Sequence, residues 1–144
     1  MDQYTEKAKE ALALAMETAE SMGVRMIGTE HILVGLIQEG SGTAARVLEA
    51  NDVKLEKLLA LEQQLVASYQ NTKVRDRDGY TPSARHVLES SYREAVRFRA
   101  PLIGTEHILM ALLKESDCVA VRLLNTMNVN IQKIYIDLLS AMGE

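Results

Sequence analysis

The stretch Ile27-Gly28-Thr29-Glu30-His31-Ile32-Leu33 returns unchanged as Ile103-Gly104-Thr105-Glu106-His107-Ile108-Leu109, 76 residues later. At that offset the chain aligns with itself without a gap from Tyr4/Tyr80 to Gln64/Ser140, and 19 of those 61 positions are identical. Matches flank the run on both sides, among them Ala8/Ala84, Leu12/Leu88, Arg46/Arg122 and Val53/Val129. One offset shared over so many positions is a tandem duplication, and a fixed internal period governs any reading of the fold.

Working outward, each copy reads as four helices. In the first, Ala8, Leu12, Ala15, Ala19 and Met22 recur at spacings of three and four and form one apolar stripe. Thr5 suits the N-cap and Gly23 the stop. Ala84, Leu88, Ser91, Ala95 and Phe98 repeat the stripe, with Thr81 as cap, Pro82 at the first helical position and Pro101 beyond the end. A second helix opens in Gly-Thr-Glu-His. A short third follows Gly40-Ser41-Gly42 or Ser116-Asp117, and a fourth begins near Val53 or Val129. The expectation is an all-α fold of eight helices in two pseudo-symmetric bundles, packed as one domain over 1–144. Repeat 1 runs from about 4 to 66 and repeat 2 from about 80 to 142, joined by a charged linker over about 68–79.

Composition agrees and excludes several classes. With 144 residues, 47% of them apolar, the chain can bury a core without staples. Sixteen basic against 20 acidic residues give a net charge of −4, which argues against a nucleic-acid partner. No apolar run is long enough for a membrane span, and MDQYTEKAKE lacks the apolar core of a secretion signal. Cys118, the only cysteine, fits a reducing, cytoplasmic setting.

Catalytic chemistry finds little support. The sequence holds no GxxxxGK[ST], GxGxxG or GxSxG. His31, His86 and His107 make no HExxH or paired Cys/His pattern, so neither a metal site nor a resident cofactor is expected. Gly-Thr-Glu-His is the strongest site candidate, and two readings stand. Thr29 and Thr105 can cap the helix, with Glu30 and Glu106 in its first turn favouring the dipole and the histidines tying nearby backbone. Alternatively, the helix starts at Thr5 and Thr81 offer free N–H groups to an anion. Were they to lie near an exposed Glu30 or Glu106, the pair would suit a ligand carrying both a phosphate and a cation. Arg46, Arg122, Lys57 and Lys133 read as solvated faces, and Tyr4 and Tyr80 as rings packed beside the caps.

The doubled pattern Y-T-x-x-A-x-x-x-L, IGTEHIL-x-x-L-x-x-E and A-x-R-x-L resembles the Clp N-terminal repeat domain, most closely that of ClpC-type unfoldases. The resemblance covers nearly the whole chain. It implies a non-catalytic, pseudo-twofold helical module that selects cargo for a hexameric AAA+ unfoldase feeding the ClpP protease. It also implies two phosphoarginine sites, Glu30 with Thr5 and Glu106 with Thr81, the glutamate taking the guanidinium and the helix start the phosphate. Implied partners are arginine-phosphorylated proteins and a MecA-type adaptor, with no nucleic acid and no membrane. The alternative is a purely protein–protein module for a MecA-like or ClpS-like partner. The family continues into two ATPase modules where this chain stops at Gly143-Glu144, so a cut-out domain or a stand-alone relative is expected. Arg99 in place of Gly23, and Ser116-Asp117-Cys118 in place of Gly40-Ser41-Gly42, predict loops that differ between the copies.

Overall fold

The computed structural model describes residues 3–69 and 79–143. Among them are eight helices: α1 Glu6–Ser21, α2 Thr29–Glu39, α3 Thr43–Ala50, α4 Leu55–Tyr69, α5 Pro82–Arg97, α6 Thr105–Lys114, α7 Val119–Thr126 and α8 Ile131–Ala141. The all-α, two-repeat reading holds. The expected linker is only partly visible: Ser68 and Tyr69 close α4, and residues 70–78 lie outside the described residues.

The helix starts follow from side-chain chemistry. Thr5 and Thr81 cap α1 and α5, each hydroxyl accepting from the backbone N–H three residues on (Ala8 and Ala84, both 3.1 Å). The fourth helices begin two residues later than expected, at Leu55 and Ile131, because Val53 is buried in the preceding turn and Asn130 caps α8 by accepting from the Lys133 N–H. The loop at Arg99 keeps the shape of its counterpart: Arg99 has φ 58° where Gly23 has φ 73°. An L side chain pays roughly 1–2 kcal/mol for that left-handed turn. The substitution changes the strain and leaves the path alone.

The central layer is α2 and α6. Residues Thr29 to Leu36 are all buried, so α2 has no solvent face over two turns, as expected of a helix surrounded by others. α1 approaches it through small residues, Ala8, Ala11 and Ala15. A Cβ added at Gly35 would lie 2.1 Å from the Ala11 carbonyl oxygen, so glycine is what allows the two backbones to meet.

The two repeats are stitched together crosswise. Thr5 N–H donates to the Ile103 carbonyl (2.9 Å), and Ile103 N–H to that of Gln3 (2.6 Å). Thr81 N–H donates to the Ile27 carbonyl (3.0 Å), and Ile27 N–H to that of Gly79 (2.7 Å). These ties are the two isolated parallel bridges Tyr4–Ile103 and Ile27–Tyr80. Thr29 Oγ1 accepts from the Ala120 N–H at the start of α7 (3.1 Å), and Thr105 Oγ1 from the Ala44 N–H at the start of α3 (3.3 Å).

Candidate functional site

The Gly-Thr-Glu-His runs open α2 and α6, and their local geometry corrects the expected capping. Gly28 and Gly104, rather than Thr29 and Thr105, stand at the N-cap. Each threonine is the first helical residue and caps the third helix of the opposite repeat instead, through the bonds just described. The histidines tie backbone as expected: Gly28 N–H donates to His31 Nδ1 (2.8 Å) and Gly104 N–H to His107 Nδ1 (2.9 Å). Nδ1 therefore bears no proton, and in the neutral ring Nε2 carries it. Burial lowers both imidazole pKa values, opposed in His31 by Glu30 and in His107 by Glu106 and Glu94, so both rings stay neutral near pH 7.

Each glutamate folds back over the glycine before it. A Cβ added at Gly28 would sit 2.3 Å from Glu30 Oε1, and one at Gly104 would sit 2.5 Å from Glu106 Oε1. The missing side chain is therefore the seat of the carboxylate. The two seats differ in depth. Glu30 is only 4% exposed, which corrects the expected exposed carboxylate, whereas Glu106 is half-buried. Glu30 Oε2 also lies 3.9 Å from His31 Nε2.

The crossed bridges tie each helix start to the Gly-Thr-Glu-His run of the opposite repeat, whereas the resemblance pairs Thr5 with Glu30 and Thr81 with Glu106. Thr5 is tied to Ile103, three residues before Glu106, and Thr81 to Ile27, three residues before Glu30. Each potential anion cradle thus neighbours the carboxylate of the opposite repeat. Lys9 and Arg85, equivalent in the two copies, add a cation to the first turn of α1 and α5. Their like charge at equivalent positions is readable in the self-alignment. Arg46, Arg122, Lys57 and Lys133 are exposed, and Lys133 pairs with Asp137 (2.8 Å).

Between the helix starts runs a groove of about 560 Å³, bordered by Tyr4, Leu12, Tyr80 and Leu88. Those four residues are two equivalent pairs, so the groove straddles the pseudo-twofold axis. Tyr92 on its wall is 51% exposed, and its counterpart Met16 is 46% exposed. One further residue escaped sequence reasoning. Glu62 of α4 is 1% exposed, and neither carboxyl oxygen has a hydrogen-bond partner. Burial first, and then the Glu30 charge, push its pKa up to about 9. The signal lay in the helix period, since Glu62 falls four residues after the buried Leu58, and the second copy has Leu138 at that place.

Known proteins resemble this chain in sequence and in fold. The family model described as the Clp repeat (R) N-terminal domain matches residues 3–78 and again 79–144. The chain is 40% identical over 140 residues to the negative regulator of genetic competence ClpC/MecB of Bacillus subtilis (strain 168), covering 97% of this chain and 17% of that protein. It is 37% identical over 140 residues to the chaperone protein ClpB of Oceanobacillus iheyensis, again covering 97% of this chain and 17% of that one. Among solved structures, the N-terminal domain of the caseinolytic protease associated chaperone ClpD from Arabidopsis thaliana superposes with a TM-score of 0.77 at 22% identity, covering 99% of this chain and 96% of that one. That last likeness speaks for the fold. The chain spans about a sixth of the length of these curated relatives, and over that span the doubled helical repeat, its paired Gly-Thr-Glu-His runs and the family match agree: it belongs to the Clp repeat N-terminal domain family, the N-terminal domain of Clp AAA+ chaperones, ClpC among them.

Proposed function

We propose that this domain selects arginine-phosphorylated proteins for a ClpC-like unfoldase and its ClpP protease, through two sites each built from both repeats. The reading rests on one observation: the backbone bridges bring the α1 start to the Glu106 run and the α5 start to the Glu30 run. A helix start supplies N–H donors and positive dipole for the phosphate, and the carboxylate supplies a charge-assisted partner for the guanidinium. The domain contributes equilibrium binding and no bond chemistry, and this role belongs in the cytoplasm with the rest of such an unfoldase. Titration of free phosphoarginine tests it. The wild type should bind at two sites. Glu30→Ala and Glu106→Ala should each weaken one of them by about 10–100-fold, the loss of one charge-assisted bond of roughly 1.5–3 kcal/mol. Equal affinity in the wild type and the double variant would sink the reading.

The groove on the pseudo-twofold axis favours a second reading, in which a MecA-type or ClpS-type adaptor docks on Tyr4, Tyr80 and the exposed Tyr92 with no small-ligand pocket. An adaptor that binds undiminished beside saturating phosphoarginine, in a domain that ignores phosphoarginine alone, would favour it.

A further inference from the structure

The two glutamate seats are built alike and kept differently. Glu30 is buried and already engaged within the fold, with its Oε2 3.9 Å from the His31 nitrogen that carries the ring proton. Arg85, the cation of the helix start that the bridges bring to this run, is engaged as well. Glu106 is half-buried and makes no ion pair among the described residues. The cation of its neighbouring helix start, Lys9, pairs with the exposed Glu6 (3.0 Å), and a pair so open to solvent is worth little. The chain leading into each run repeats the contrast. Met26, two residues before Gly28, is buried, and its equivalent Leu102 is exposed. Packing supplies a cause. α1 lies closer on α2 than α5 lies on α6, because Gly35 has no Cβ to meet the Ala11 carbonyl, whereas the equivalent residues are Ala111 and Val87.

We propose that the two sites are unequal: the Glu106 seat stands open and takes a guanidinium first, whereas the Glu30 seat is closed by the fold itself and fills only after its internal contacts give way. The proposal rests on the docking reading for the identity of the ligand. Seclusion alone would favour Glu30, since a charge pair is stronger away from water. That gain is already spent inside the fold, because an entering guanidinium replaces contacts that Glu30 holds without it. The seat must also open, and apparent affinity falls in proportion to the fraction of molecules that are open. An open state of a tenth or less of the molecules makes the Glu30 site weaker by about tenfold or more. At Glu106 the ligand displaces water and a surface pair, and neither imposes such a tax.

Two measurements decide it. The first needs no ligand: carbodiimide coupling of glycine ethyl ester to the carboxylates of the free protein, read residue by residue by mass spectrometry. Glu106 should be modified about tenfold faster than Glu30 or more, in line with the open fraction. Equal rates, or a faster Glu30, overturn the proposal whether or not phosphoarginine binds. The second is calorimetric titration with free phosphoarginine. The wild type should show two affinities about tenfold apart or more, Glu30→Ala should keep the tighter one, and Glu106→Ala should leave only the weaker. Where Glu30→Ala fails to fold, Glu30→Gln, which keeps the side-chain shape, takes its place. Two equal affinities, or a tighter site that survives Glu106→Ala, overturn the proposal. No binding by the wild type together with unequal coupling sinks the phosphoarginine reading and supports the closed Glu30 seat.

Discussion

At the scale of single residues, Glu62 is also where stability and pH meet. Its carboxyl ionises near 4.5 in an unfolded chain and near 9 in the fold. Below the lower value the carboxyl is protonated in both states and pH has no hold on it. As pH rises towards 9, the unfolded state gains an ionised carboxylate that the fold must keep neutral, so stability falls. Glu62→Leu should therefore stabilise the domain by roughly 1–3 kcal/mol near neutral pH and by less near pH 4.5. Denaturant unfolding at both pH values checks this, and a gain independent of pH would contradict it. Nothing about Glu62 as a residue type announced this burial, since glutamate usually marks a solvated face. Its place on the buried stripe of α4 did. Glu30 was legible as a candidate because it repeats, yet its depth was hidden, because seclusion depends on which elements close over it.

At the scale of elements, the decisive pieces are helix starts. The N-caps of α3 and α7 are Gly42 and Cys118, neither of which offers a capping side-chain bond. Thr105 and Thr29 supply it from the opposite repeat. Replacing Thr29 by valine keeps the shape and removes the acceptor for the Ala120 N–H. We expect a loss of about 1–2 kcal/mol in unfolding free energy. The Ala120 amide should also exchange faster with solvent, and unchanged protection there would refute the role. The helices themselves were readable from the period of apolar residues and from Thr5, Pro82 and Gly23. What the sequence could not say was whose helix each threonine completes. A duplicated motif looks the same whether it serves its own copy or the other, and only packing breaks that tie.

At the scale of the whole molecule, the same ambiguity falls on the sites. The resemblance pairs Thr5 with Glu30 within one repeat, whereas the bridges at Ile27 and Ile103 tie each helix start to the Gly-Thr-Glu-His run of the other repeat, which is the basis of the crossed sites proposed above. Thr5→Asp keeps a competent N-cap and puts a negative charge where the phosphate would lie. Combined with Glu106→Ala, it should strike one site twice and leave one phosphoarginine bound per domain. Combined with Glu30→Ala, it should strike both sites and leave none. Stoichiometry from calorimetry separates the crossed arrangement from pairing within a repeat, which would give the opposite pattern.

The reciprocal ties carry one more consequence. Each repeat holds both halves of the exchange, a helix start to give and a Gly-Thr-Glu-His run to receive. Two separate copies of a single repeat would thus have every partner group the fold uses, but could find them only by collision, at an occupancy set by dilution. Joining the copies in one chain replaces that encounter with a fixed local concentration. What would be a dimer dissolving at low abundance becomes a domain whose two halves meet at any abundance.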